Sequence, residues 1–400
     1  MNEKLICILP VLTLHASCLK NNSIDTVENI SKSKLQSQKL EDCTTNSNNE
    51  KSSEEKDKTI EHEKKKIDDV IQRSFYGEGG ERMIIDINNY WDVRHLGSGT
   101  ATFRGSLYFI TNKKKKEEIF KKYGDLKSLS TEKAKEAREE VKKNMFILKN
   151  SGIYEASVGI FLNSIYGGNV APQTFASKII KNSNSLASED FNNNEAFYTL
   201  QTVVNHNSNF KDMDSITNVE QMIGLLLLVN EQDSRRENIL VTHQQSLVKI
   251  DNDSTLHRSI DIQYLNNFVK ALRGLSNFFD DITTNYDKLI IELGNLVNKK
   301  ELILYSIKKI YEIAQPKLNM PELVEKNLVF IEKLLKFLQD LRPSYENLPD
   351  LLKEKSHWMF IMSGKDNLWH KYSEKEKNLL DEKSVENFKN KAKELSNPII

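Results

Sequence analysis

The chain has 400 residues, of which 57 are Lys or Arg and 57 are Asp or Glu, so its formal net charge is zero. That length supplies one large or two ordinary domains with a core that needs no metal or disulfide staple. The charge balance leaves no basic excess to neutralise a nucleic-acid backbone, which excludes a general DNA- or RNA-binder and predicts no nucleic-acid partner. With 38% hydrophobic residues, and only the run from Leu5 to Leu19 approaching the roughly 20 apolar residues a bilayer needs, a multi-span membrane protein is also excluded. Cys7, Cys18 and Cys43 are the three cysteines, so the chain beyond them can form no disulfide, Cys-ligated zinc site or thiol nucleophile.

Residues 1–20 carry Lys4, an apolar stretch from Leu5 to Leu14 and the small residues Ala16 and Ser17 before Cys18, the layout of a secretory signal peptide. His15 makes a poor cleavage zone, so an uncleaved apolar anchor is the competing reading. From residue 21 to 66 the chain is Ser, Asn, Lys and Glu with almost no aromatics, ending in the charged run from Glu50 to Lys66. Such a segment buries too little apolar surface to offset its ordering entropy and is expected to be a disordered linker, with the fold beginning near Ile67.

Trp91 to Leu96, then Gly97-Ser-Gly99, then Ser106 to Ile110 predict a strand, a glycine turn and a second strand. The turn could lie over phosphates, because glycine lets backbone N–H groups approach an anion; a bare hairpin turn has the same composition. Residues 113–143 are dominated by Lys, Glu and Ala and predict one or two inserted surface helices. Lys113 to Lys116 reads as a solvated face, with peripheral contact to acidic lipid as the functional alternative. Asn144 to Lys149 is a strand with a lysine at its end, and Glu155 lies on the first turn of a helix that closes at Gly167-Gly168, short of Pro172. Lys149 and Glu155 are spaced so that they can pair. Thr174 to Ile180 and Ala196 to Val204 predict strands, residues 181–194 a loop, and Ile216 to Leu228 a buried helix.

The chemistry gathers beyond that helix. Asp233-Ser-Arg-Arg-Glu-Asn238 leads into the short strand Ile239-Leu-Val241, a turn, and the strand Leu247-Val-Lys-Ile that ends at Asp251. Phosphoryl transfer requires a carboxylate that positions a hydroxyl, an amide oxygen and a second carboxylate for Mg²⁺, and a lysine on nucleotide phosphates. In this order and spacing the chain resembles the kinase superfamily. The likeness is closer to its phosphatidylinositol 3-/4-kinase-like branch, which includes type II phosphatidylinositol 4-kinases, the actin-fragmin kinase and HipA-type kinases. Asp233-x-x-x-x-Asn238-Ile-Leu-Val followed by Ile-Asp251-Asn252 is similar to the branch's catalytic and metal loops. Phe146-Ile-Leu-Lys149, Glu155 and Gly-Asn-Val-Ala-Pro172 are similar to its strand lysine, helix glutamate and Val-Pro strand.

The resemblance implies an α+β, two-lobed protein-kinase-like fold, with a small β-rich N-lobe over residues 67–204 and an enlarged, mostly helical C-lobe over 205–398. It implies ATP and Mg²⁺ as cofactors. Lys149 would contact the nucleotide phosphates, Glu155 would orient it, Asp233 would be the catalytic carboxylate, and Asn238 and Asp251 would hold the metal. Gly97 and Gly99 would cover the phosphates, and an interlobe linker near Gln201 to Asn205 would border the nucleotide. The expected activity is phosphatidylinositol kinase-like, with a protein Ser/Thr kinase, a nucleotide-binding pseudokinase and another transfer from ATP such as adenylylation as alternatives. The partners would be a phosphoinositide lipid or a protein substrate.

Three features depart from the branch. Asn230-Glu-Gln precede Asp233 in place of its signature, Asp253 follows Asp251 as a spare carboxylate, and Lys114 rivals Lys149. From Ile260 to Leu395 the apolar spacing predicts packed helices with breaks at Pro316, Pro321, Pro343 and Pro349. The histidines show no spacing that suggests a metal site. Export combined with ATP chemistry predicts delivery into another cell's cytosol, as for secreted bacterial effectors, and the Asn- and Lys-heavy composition suits an AT-rich bacterial genome.

Overall fold

The computed structural model describes residues 49–76, 84–86, 90–98, 106–124, 130–149, 152–180, 197–206, 215–231, 238–252, 255–259, 284–354, 358, 361 and 381–396. Part of the segment that composition marks as a linker is helical. Helix α1 runs Asn49–Tyr76 and takes in the last third of the expected linker. Its far end buries Ile67, Ile71 and Phe75, spaced four apart on one face. Polar contacts add to that docking: the single Tyr305 hydroxyl proton is shared between the Asp68 carboxylate oxygens, 2.9 and 2.8 Å from Oη, and Lys64 pairs with Glu301 at 2.9 Å. A charged segment is therefore helical because its neighbour is anchored, with Glu61–Lys64 and Glu63–Lys66 adding local support.

Eight strands and nine further helices follow among the described residues: β1 (Ile84–Asp86), β2 (Tyr90–Ser98), β3 (Ser106–Asn112), α2 (Lys113–Tyr123), α3 (Thr131–Lys143), β4 (Met145–Lys149), α4 (Gly152–Tyr166), β5 (Thr174–Ile180), β6 (Phe197–Thr202), α5 (Val219–Leu228), β7 (Ile239–Val241), β8 (Leu247–Lys249), α6 (Tyr286–Asn298), α7 (Lys300–Ala314), α8 (Met320–Glu346), α9 (Asp350–Glu354) and α10 (Glu382–Ser396). The fold is mixed α+β and mostly helical. Six strands form one sheet in the order β1-β5-β6-β4-β3-β2, antiparallel except for the parallel β1–β5 edge, and β7 and β8 form a separate antiparallel ladder. The predicted insertion is two helices, α2 and α3, between neighbouring strands β3 and β4.

Helix α4 is buried from Glu155 to Asn163 because β5 and β6 cover one side and α1 and α7 the other. It meets β5 so closely that a Cβ on Gly159 would lie 2.6 Å from Thr174 Oγ1. Leu225 to Leu228 of α5 are buried as predicted. The apolar faces of α4, α5 and α6 to α8 share one continuous core, in which Leu289, Leu293, Leu328, Ile331 and Leu338 lie at helical spacing. Pro321 stands in the first turn of α8, and Pro316 and Pro349 lie outside helices, as expected. Pro343 does not break the helix; it lies inside α8, at the start of its last turn. There its missing N–H forfeits one helical bond. Packing holds the turn instead, through Tyr345 stacked on Tyr286 at 3.9 Å and Trp358 set edgewise to both.

Candidate active site

Strand β4 delivers Lys149 and helix α4 delivers Glu155. Between them Gly152 adopts φ +78°, a conformation that costs glycine little, and this turns the chain directly into the helix. Glu155 lies in the first turn of α4, where the helix N-terminus favours a carboxylate. The result is a contact of 2.7 Å between Lys149 Nζ and Glu155 Oε1, with side-chain exposures of 13% and 2%. The same ammonium lies 3.1 Å from Asp251 Oδ1, on a residue 102 positions further along the chain. Burial by itself pushes the pKa of Lys149 down; Glu155 and Asp251 together more than reverse this, so the amine is held charged well above the ordinary lysine range.

Asp251 is placed by its backbone. It has φ 59°, a left-handed conformation that Asp tolerates better than most residues. The fixing agent is Lys249 on β8, whose side chain is fully buried. Its ammonium pairs with Glu231 at 2.9 Å, donates to the Ile250 carbonyl at 2.7 Å and also donates to the Asp251 carbonyl. The Lys249 N–H meets the Val170 carbonyl at 2.7 Å, which fastens β8 to the segment just after α4. Asn238 enters from the other side of the ladder: β7 pairs Ile239 with Lys249, and the Asn238 carbonyl accepts from Ile250 N–H at 2.8 Å. The amide of Asn238 and the carboxylate of Asp251 thus belong to adjoining positions at one end of the β7–β8 ladder. Both are hard oxygen donors of the kind Mg²⁺ takes. Among the described residues no three His, Cys, Asp or Glu side chains gather to hold a metal.

The structure therefore joins Lys149, Glu155 and Asp251, with Asn238 beside them. Asp233, Gly99 and Asp253 lie outside the described residues. Gly97 lies in β2, paired with Leu107 beside a register shift. Gln201 stands inside β6 rather than in a linker. That strand runs to Thr202, with residues 203–205 outside any strand or helix, and the buried Gln201 amide donates to Thr174 Oγ1 at 3.4 Å. Lys114 is exposed on α2, whereas Lys149 meets Glu155 and Asp251. In the Lys113–Lys116 run, Lys115 pairs with Glu118 at 2.8 Å and Lys116 lies over the Phe120 ring.

Three participants were not identified from sequence. Lys249 and Glu231 were given no role of their own, although Lys249 shares a strand face with Leu247 and alternation marks it as inward-facing. Tyr154, next to Glu155, donates its hydroxyl to the Thr255 carbonyl at 2.7 Å, and burial raises the pKa of that hydroxyl, which keeps it a donor. No protein-family model, curated protein or solved structure matches the chain.

Proposed function

We propose that the chain is an ATP- and Mg²⁺-dependent phosphotransferase with a two-lobed, protein-kinase-like fold, acting on the hydroxyl of a phosphoinositide lipid. The observation that carries this reading is the three-way contact of Lys149 with Glu155 and Asp251, assembled from a strand end, a helix start and the end of a separate strand ladder. A lysine ammonium has three donors. Glu155 and Asp251 take two, and the third is left for a phosphate oxygen of the nucleotide.

Asn238 and Asp251 are the residues that would hold Mg²⁺, which when bound neutralises charge on the transferred phosphate. Glu155 keeps Lys149 charged and oriented. By the resemblance, Asp233 accepts the proton of the substrate hydroxyl as its oxygen bonds to the terminal phosphorus and the bond from that phosphorus to the ADP oxygen breaks. The basic run Lys113–Lys116, at the start of α2, offers a surface for acidic lipid. Delivery into a foreign cytosol supplies the ATP, and a cysteine-free fold suits that reducing compartment.

The test presents the full-length chain with γ-labelled ATP and Mg²⁺ to phosphatidylinositol vesicles and, in parallel, to a mixed protein extract, with Asp251→Ala as control. Label in lipid that disappears in the variant is the expected result. Label confined to protein transfers the reading to a protein kinase. Nucleotide binding with no label in either arm overturns transfer of the γ-phosphate and leaves a nucleotide-binding pseudokinase or an enzyme transferring a different part of the nucleotide.

A further inference from the structure

We propose that Tyr154 is a positioning residue that latches helix α4 to the segment following Asp251, so that Glu155, Lys149 and Asp251 act as one unit. Tyr154 stands immediately before Glu155. Besides its 2.7 Å hydrogen bond to the Thr255 carbonyl, its ring stacks on His257 with centroids 5.2 Å apart and planes at 25°. Thr255 passes the restraint back toward the site, because its hydroxyl donates to the Asn252 carbonyl at 2.6 Å, one residue from Asp251. On its other side the segment is tied to the stretch that leads into Asp233: Leu256 N–H donates to the Val229 carbonyl at 2.8 Å, and Asn230 Nδ2 donates to the Arg258 carbonyl at 2.8 Å.

The backbone of this segment does not rest in these positions by itself. Asp251 has φ 59° and Leu256 φ 53°, and a left-handed conformation is unfavourable for a bulky side chain such as leucine unless the surroundings impose it. The left-handed Leu256 therefore lies in a segment, 255–258, fastened from both flanks, and Tyr154 supplies the fastening from α4. Lys249 holds the Asp251 backbone from β8, and Tyr154 adds the restraint from α4; without its hydroxyl the 255–258 segment loosens and Asp251 is held toward Lys149 from one side only.

The activity arm of the test rests on the proposed phosphotransfer; the other arm does not. Tyr154→Phe removes the hydroxyl and keeps the ring against His257. Hydrogen exchange on the full-length chain without nucleotide is expected to quicken about fivefold in the peptide covering 255–258, as loss of one hydrogen bond implies, and to stay unchanged in the peptide covering 320–346. Transfer kinetics are expected to show kcat lowered about fivefold with KM for ATP kept within about twofold. Unchanged exchange at 255–258, or an increase of equal size at 320–346, overturns the latch. Faster exchange at 255–258 with kcat unaltered overturns its positioning role. A wild-type chain that transfers no phosphate refutes the proposed reaction, and the exchange comparison alone then decides for or against the latch.

Discussion

Lys149→Met keeps the aliphatic stem and removes the ammonium that two carboxylates share. Glu155 is 2% exposed and Asp251 34%, so the two partners are left in different circumstances. Asp251 can turn to water, whereas Glu155 stays buried with no cation, and removing one partner of a buried pair costs about 3–5 kcal/mol. Glu155→Gln is milder, about 1–3 kcal/mol, because Lys149 retains Asp251. Asp251→Asn should cost about 0.5–1 kcal/mol, as for a partly solvated pair. The combined Lys149→Met/Glu155→Gln variant carries the distinctive sign. It removes the stranded carboxylate and should be more stable than Lys149→Met alone by about 1–2 kcal/mol, an interaction energy of the size that contacting residues show. Urea unfolding followed by circular dichroism at pH 7 measures all four. A double variant less stable than Lys149→Met by the full cost of Glu155→Gln would refute the pairing. Because the pKa of Lys149 is raised on folding, its stabilisation is complete below the unfolded value of about 10.4 and is lost only as pH rises through the folded value, so this ranking should hold from about pH 6 to 9.

Two other perturbations probe the scaffold around the site. Glu292 of α6 is buried, and burial, reinforced by Glu220 and opposed by Lys299 and Asn295, pushes its pKa up from 4.5 to about 7. The native state then binds more protons than the unfolded state between those two values, so stability falls as pH rises through that window. Glu292→Gln should unfold like wild type at about pH 4.5 and be more stable at about pH 8 by roughly 1–3 kcal/mol; an equal difference at both values would count against the assignment. Gly159→Ala places a methyl 2.6 Å from Thr174 Oγ1 and 2.9 Å from Thr174 Cβ. Thr174 cannot easily yield, since its N–H is bound to Asn163 Oδ1 at 2.7 Å and its hydroxyl to the Pro172 carbonyl at 3.0 Å. Helix α4 must shift instead, at about 1–3 kcal/mol, and an unchanged urea midpoint would show that the helix–sheet contact is looser than described.

Much of the local architecture was legible because its causes are local. The β-branched and aromatic runs ending at Lys149 and Thr202 form strands, Gly167 ends α4 with φ +65°, and the three- and four-residue apolar spacing beyond Tyr286 forms helices. Where the reading failed, a distant partner had overruled composition. The charged stretch before Ile67 is helical because Tyr305 and Glu301 receive it, and Pro343 remains in a helix because three aromatic rings pack at that end. Strand register, which the sequence did not show, sets Gln201 opposite Ile147 and Thr174.

The candidate site divides in the same way. The likeness carried by residue order and spacing singled out Lys149, Glu155, Asn238 and Asp251 as candidates, and the six-residue step from strand end to helix and the ladder that joins Asn238 to Asp251 are short-range constraints. Only the tertiary structure brought Asp251 to Lys149 across 102 positions, buried Lys249 against Glu231 to hold the Asp251 backbone, and set Tyr154 on Thr255. The physical reason lies in burial. A charge shows in sequence only as a charge, whereas its energy depends on whether a partner meets it after water has been excluded, and that is settled by packing between segments far apart in the chain.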